Sequence, residues 1–165
     1  MPDNDQNAPR WPEDLSPFAD QQFLLRIISA QPEYFDEALL ASGAPRLLAF
    51  LPTKRDSDGI SLFREFPPQP FLSPEELRSR CQNPKTREHG AVMALLLADI
   101  RGKFPELTPK ATPNDDIPGH VSIEQMSYQK YKDDKEKVQA FAFGLIELAM
   151  KHIRIMPTKI PQDSV

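Results

Sequence analysis

Eighteen of the 165 residues are proline, about twice the usual share. Proline interrupts a helix beyond its first turn, because it has no amide hydrogen to donate and its ring collides with the preceding turn. Long helices are therefore confined to the stretches that proline leaves open, which are residues 18–31, 33–44, 85–104 and 119–156. This distribution predicts several short helices, with the two longest in the second half of the chain.

Apolar residues in these stretches recur at three- and four-residue spacing, which is typical of a helix with one buried face. Start signals support this interpretation, since Ser73 with Glu76 has the spacing of a capping box. We predict an all-α fold, an irregular bundle of five or six helices whose central pair covers about residues 85–103 and 135–155. Residues 53–66 are expected to add at most one small β-hairpin.

The chain length fits one domain with a sizeable core. We expect a single helical domain over residues 16–156, with flexible tails at 1–15 and 157–165. The N-terminus is acidic and polar rather than basic and then apolar, so a secretory signal is not predicted. No apolar run approaches the ~20 residues that cross a bilayer. These features favour a soluble, cytoplasmic protein without a membrane partner.

Metal and catalytic motifs are weak in this sequence. Residues 54–65 resemble a calcium loop, but Lys54 stands where the first carboxylate ligand belongs. His120 and Glu124 are one helical turn apart and lack further ligands at a recognisable spacing. Cys81 is the only cysteine, which favours a buried thiol over a nucleophile paired with His89. We therefore predict no metal, no cofactor and no catalytic residue.

The distribution of charged residues along the chain indicates the best candidate site. The chain carries a net charge of −4, but residues 59–110 contain eight basic and six acidic residues. Four of these cations fall within ten residues, at the junction of two predicted helices: Arg78, Arg80, Lys85 and Arg87. This basic patch is predicted to bind an anion or a partner. The alternative is a solvated helix junction that neighbouring glutamates partly neutralise.

Small residues recur every fourth position in both long predicted helices. Gly90, Ala94, Ala98 and Gly102 form one series, and Ala140 and Gly144 form another. Small side chains let two helix backbones approach closely. The two series therefore predict either a tight internal helix pair or a contact between copies of the chain.

Clear helices without a catalytic constellation favour a non-enzymatic protein-binding or regulatory module. Its expected partner is another protein, and a homo-oligomer is a second expectation. One alternative is a nucleic-acid-associated regulator that uses the basic patch at 78–87, although the acidic net charge argues against it. The other is an enzyme whose site assembles from scattered residues.

Overall fold

The computed structural model describes residues 18–65, 72–112 and 119–159. These residues form a six-stranded sheet in the order β4-β5-β2-β1-β3-β6, and every neighbouring pair is antiparallel. The strands are β1 (Phe23–Ile28), β2 (Ile60–Glu65), β3 (Ala91–Leu96), β4 (Pro109–Ala111), β5 (His120–Ile123) and β6 (Ile153–Ile155).

Helices cover both faces of this sheet. They are α1 (Pro74–Ser79), α2 (Pro84–Arg87), α3 (Leu97–Lys103), α4 (Tyr128–Asp133) and α5 (Lys135–Ala149). Short 3-10 helices occur at Glu37–Ser42, Leu47–Phe50 and Glu124–Met126. Within the described ranges, only α3 and α5 reach seven residues. None of these helices is long and apolar enough to span a membrane.

The predicted all-α bundle is therefore wrong, and residues 85–103 show why. This stretch is not one helix but α2, then β3, then α3. β3 pairs with β1 at six positions, and its residues are apolar throughout because the sheet is covered on both faces. A continuous apolar run has neither the period of a helix nor that of a strand, so it fits both.

Of two other helix predictions, one is wrong and one is confirmed only in part. The apolar stretch at Phe23–Ile28 is β1, the centre of the sheet rather than a helix. The helix predicted at 135–155 is confirmed as far as Ala149, after which the chain turns and enters β6. The expected hairpin near 53–66 is replaced by β2, which pairs with the distant strands β1 and β5.

Two cores explain this layout. The larger core lies between the sheet and α5, where Leu24, Met93 and Leu145 are fully buried. The smaller core lies under α1 on the opposite face and contains Leu25 and Leu77. Because adjacent residues of a strand point to opposite faces, β1 contributes to both cores. Because both faces of the sheet are buried, its central strands lack the alternation of apolar and polar residues by which a strand is usually identified in a sequence.

The predicted series of small residues does not form a helical ridge. Ala94 lies buried in β3, whereas Ala98 lies exposed in α3. A Cβ added at Gly102 would meet nothing within 4 Å. At Gly144 the close neighbour is the Phe104 ring, whose Cζ would lie 2.3 Å from an added Cβ. The predicted tail at 1–15 and residues 160–165 of the predicted tail at 157–165 lie outside the described residues. In the described part of the second tail, Pro157 is buried and Thr158 N donates to the His89 carbonyl oxygen at 2.9 Å.

Candidate functional site

The sheet opens between β1 and β2. These strands pair at three positions, of which Leu25 opposite Phe63 is the last. Both strands continue for three more residues, Arg26–Ile28 in β1 and Ile60–Leu62 in β2, without facing partners across the gap. Over the same lengths β1 stays paired with β3, and β2 stays paired with β5. The two middle strands therefore separate while their outer neighbours hold them in place.

The Arg26 side chain bridges this gap. Its Nη1 donates to the Ser61 carbonyl oxygen at 2.9 Å. Its Nε and Nη2 donate to the Ala49 carbonyl oxygen at 3.1 and 2.8 Å. The guanidinium carbon also lies 5.9 Å from the centre of the Phe50 ring. Arg26 thus replaces missing strand-to-strand bonds and fastens the turn at Leu47–Phe50 to the sheet.

The charge of Arg26 is not neutralised within the described part of the chain. Arg26 forms no ion pair with any carboxylate there. Burial lowers its pKa from the usual value, while the Coulombic influence of Asp56 and Tyr34 opposes that change. A guanidinium has five N–H groups, and the protein acceptors described above take three of them. Two N–H groups remain for a ligand, and a half-buried guanidinium with two unused donors is suited to accept a carboxylate.

A cavity of about 400 Å³ lies beside Arg26. Its wall includes Arg26–Ile28 from β1 with the following Ser29, Phe63 from β2, and both Cys81–Asn83 and Thr86 from the junction of α1 and α2. Of the described side chains that line it, Arg26 alone carries a formal charge at neutral pH. A mostly apolar wall with one cation suits a ligand that joins an apolar group to an anion.

The structure brings the predicted basic patch to this same cavity. Arg78 and Arg80 lie at the end of α1, and Lys85 and Arg87 lie in α2. The segment that lines the cavity, Cys81–Asn83, runs between these two pairs. Two patch residues also bind backbone, since Arg78 Nη1 donates to Gly90 O at 3.0 Å and Arg87 Nη1 donates to Gln82 O at 3.2 Å. These two hydrogen bonds to the backbone fix the side chains of Arg78 and Arg87 beside the Arg26 cavity.

The glutamates near the patch occupy helix ends. The side chain of Glu76 accepts a bond from the Ser73 amide at 3.4 Å, in the predicted capping box, which is confirmed. Glu75 and Glu76 precede Arg78 and Arg80 by three and four positions, which is the spacing of neighbours on a helix face, and Glu88 ends α2 beside Arg87. These carboxylates therefore offset part of the positive charge of the patch.

Cys81 has the environment expected of a structural thiol. Burial raises its pKa, and nearby Arg78 opposes that rise. Its Sγ lies 3.8 Å from the Leu77 carbonyl oxygen. The conceivable partner His89 instead hydrogen-bonds Thr158 Oγ1 at 2.7 Å. The cavity wall therefore contains a thiol that is useful as a reporter and is not activated.

His120 and Glu124 do not share a helical face. His120 begins β5 and Glu124 begins a 3-10 turn. Both ring nitrogens of His120 are engaged, with Ser61 on one side and Thr112 on the other. Among the described residues, no group of three His, Cys, Asp or Glu side chains is placed to hold a metal ion.

A second cavity of about 270 Å³ lies between α4, α5 and the turn near Glu106. Its wall includes Glu106, Asp133 and Asp134 together with Lys130 and Lys137. Charges of both signs alternate there and can satisfy one another. The cavity at Arg26 is the stronger candidate site because its cation lacks such a counter-ion.

Sequence reasoning missed Arg26, the central residue of this site. The available signal was a single charge inside an otherwise apolar run, Phe23–Ile28. A charged residue in a buried strand requires bonding partners, so it marks a position of interest once the run is read as a strand. Comparison with protein-family models, curated proteins and solved structures finds no match for this chain.

Proposed function

We propose that this protein is a binding module for an acidic segment of another protein. Arg26 anchors one carboxylate of that segment in the cavity between β1 and the α1–α2 junction. The observation that carries the proposal is the half-buried Arg26 guanidinium, which among the described residues donates only to carbonyl oxygens and keeps two N–H groups for a ligand. Arginine binds carboxylates through two parallel bonds, so two available N–H groups suit this ligand.

The size and lining of the cavity favour a short segment of chain. A volume of about 400 Å³ is at the low end of small-molecule sites. Ile27 and Phe63 provide an apolar wall beside the cation, which suits an apolar side chain next to an acidic residue. The basic patch continues outward from this cavity and supplies further cations. Such charges raise the association rate of an acidic partner and select against basic ones.

The experiment is a selection of random peptides on the purified protein, followed by affinity measurement by fluorescence anisotropy. We expect the enriched peptides to contain Asp or Glu next to an apolar residue. Arg26→Gln should weaken their binding by tenfold or more, since truncating one partner of a buried charge pair costs about 2 kcal/mol or more. Arg26→Lys keeps the charge without the paired donors, so its affinity for the peptides should lie between that of the unsubstituted protein and that of Arg26→Gln. The matched control is Lys151→Gln, an exposed cation in the turn after α5.

Cys81 provides an internal check on where the peptide binds. It is the only cysteine of the chain and it lines the cavity. A bound peptide should slow its reaction with a thiol reagent such as dithionitrobenzoate. Enriched peptides without acidic residues, or peptides that bind the folded Arg26→Gln variant as well as the unsubstituted protein, would contradict the proposal.

The same protein preparation tests the nucleic-acid alternative. Binding of an oligonucleotide that weakens steeply with salt, and that Arg80→Gln with Arg87→Gln removes, would assign the patch to phosphate contacts. The acidic net charge of −4 favours the protein partner.

A further inference from the structure

A serine and a histidine meet on the face of the sheet that carries the smaller core. Ser61 belongs to β2 and His120 to β5, which pair antiparallel with Ser61 opposite Ser122 and Phe63 opposite His120. Ser61 and His120 are therefore diagonal neighbours on one face. The Ser61 Oγ lies 2.5 Å from His120 Nε2, although the two residues are 59 positions apart in the chain. Both side chains are partly exposed.

Thr112 determines which ring nitrogen of His120 carries the proton. The Nδ1 atom lies 2.7 Å from the Thr112 carbonyl oxygen. A carbonyl oxygen only accepts, so Nδ1 must be the protonated nitrogen and must donate to it. Nε2 then has a free lone pair, and the Ser61 hydroxyl donates to it. The carbonyl of Thr112 takes the orienting part that a carboxylate takes in a Ser-His-Asp triad.

The surroundings keep this imidazole neutral. Burial lowers the pKa of His120 below its usual value, and the backbone bond to Thr112 and the charges of Asp56 and Asp58 oppose that change. The Phe63 ring lies edge-on to the imidazole, with 5.2 Å between the ring centres. At neutral pH the His120 ring is thus available as a base, hydrogen-bonded to a hydroxyl that it can deprotonate.

We propose that Ser61 is a nucleophile and His120 its general base, in the hydrolysis of a carboxylic ester. The Ser61 oxygen attacks the ester carbonyl carbon while its proton passes to His120 Nε2. The bond from the acyl carbon to the alcohol oxygen breaks, and His120 returns the proton to that oxygen. Water then attacks the acyl-Ser61 carbon and gives its proton to His120. The carbon–Oγ bond breaks and the proton returns to Ser61, so the products are one acid and one alcohol.

The neighbouring cavity indicates the class of ester. Phe63 lines that cavity and also contacts the His120 ring. Arg26 donates to the backbone carbonyl oxygen of Ser61 itself. A cation this close to the nucleophile favours an ester that carries a second, anionic group. This inference goes beyond the proposed binding function and does not depend on a protein partner.

Covalent labelling with a neutral fluorophosphonate ester tests the nucleophile directly. Attack by Ser61 Oγ on phosphorus expels fluoride and leaves a stable phosphonyl serine. We expect mass spectrometry to locate one label, on the peptide that contains Ser61. Ser61→Ala should abolish the label, whereas Ser57→Ala, in the exposed bend that precedes β2, should leave it unchanged. His120→Gln should slow labelling by a hundredfold or more.

The unsubstituted protein supplies a readout that does not depend on a variant folding. Because burial lowers the pKa of His120 below its usual value, the labelling rate should fall only under acidic conditions in which this histidine becomes protonated. Labelling should vanish in concentrated urea, which unfolds the protein and separates Ser61 from His120. An unlabelled Ser61 in the folded protein, or labelling that ignores both pH and His120→Gln, would overturn the proposal. Peptide binding at Arg26 should survive Ser61→Ala, so the failure of one proposal is distinguishable from the failure of the other.

Discussion

Gly59 is the position where one added methyl group should do the most damage. Its φ angle is +120°, and a Cβ built there would lie 1.9 Å from the carbonyl oxygen of Ile123 and 2.4 Å from the carbonyl carbon. Those atoms are backbone, so no side-chain rotation relieves the collision. The contact also adjoins the first pair of β2 and β5, Ile60 opposite Ile123. Gly59→Ala must therefore displace one strand of the sheet relative to its neighbour.

The cost has two parts. A residue with a side chain held at an unfavourable φ angle loses about 1–3 kcal/mol. Overpacking a dense site costs about 1–3 kcal/mol more. We expect a total near 4 kcal/mol, a large share of the ~5–15 kcal/mol that stabilises a typical domain. For a chain of this length that loss lowers the melting midpoint by about 8–16 °C.

Urea unfolding followed by circular dichroism measures this loss. The control is Gly102→Ala in α3, where an added Cβ meets nothing within 4 Å. That substitution should stabilise the protein by about 0.5–1 kcal/mol, since alanine is the better helix former. A loss below about 1 kcal/mol in Gly59→Ala would show that β2 and the end of β5 do not approach as closely as described.

Three further predictions concern single contacts. Arg154 donates two bonds to Glu65, at 2.8 and 2.7 Å, and Arg154→Lys should lower the free energy of unfolding by about 1 kcal/mol because lysine cannot form the paired bonds; an unchanged melt would refute this. Asp134 caps α5 by accepting a hydrogen bond from Lys137 N at 3.2 Å. Asp134→Ala should therefore lower the free energy of unfolding in urea by about 1 kcal/mol, and an unchanged free energy of unfolding would show that this cap does not stabilise the helix. Because the pKa of His120 is lower in the folded chain than its usual 6.5, the unfolded chain binds a proton first as the pH falls; stability should decrease below about pH 6.5, and less so in His120→Gln.

A local signal in the sequence identified one helix start correctly. The capping box predicted at Ser73 and Glu76 is present. A cap depends on atoms within three or four residues, so the sequence alone contains what is needed to predict it. Asn83 likewise caps α2 from within the same turn, but that helix ends at Arg87 instead of continuing to residue 103 as predicted.

The strands could not be predicted in the same way. β1 and β3 pair with partners that are 38 to 73 positions away in the chain, from Leu25 opposite Phe63 to Phe23 opposite Leu96. Their apolar residues fit a buried helix equally well. Their identity as strands follows from the pairing partner, which one sequence does not specify. The error over 85–103 arose from interpreting three short elements as one long helix.

The basic patch could be predicted from the sequence, whereas the cluster that contains Ser61 and His120 could not. The basic patch was found because its four cations lie within ten residues of sequence. The cluster of Ser61, Thr112 and His120 was not found, because three separate strands or strand ends bring it together. No spacing rule connects a serine to a histidine 59 positions later. Only the pairing of β2 with β5 makes them neighbours.

The two borders of the sheet have a consequence for behaviour at high protein concentration. β4 and β6 are the border strands, and each has only three residues. β4 begins with Pro109, which has no amide hydrogen, and continues with the exposed cation Lys110. Short, charged and proline-containing borders discourage strands of another molecule from adding to a sheet. We therefore expect the sheet borders to resist intermolecular β-aggregation, and any dimer of this chain to form through its helical surfaces.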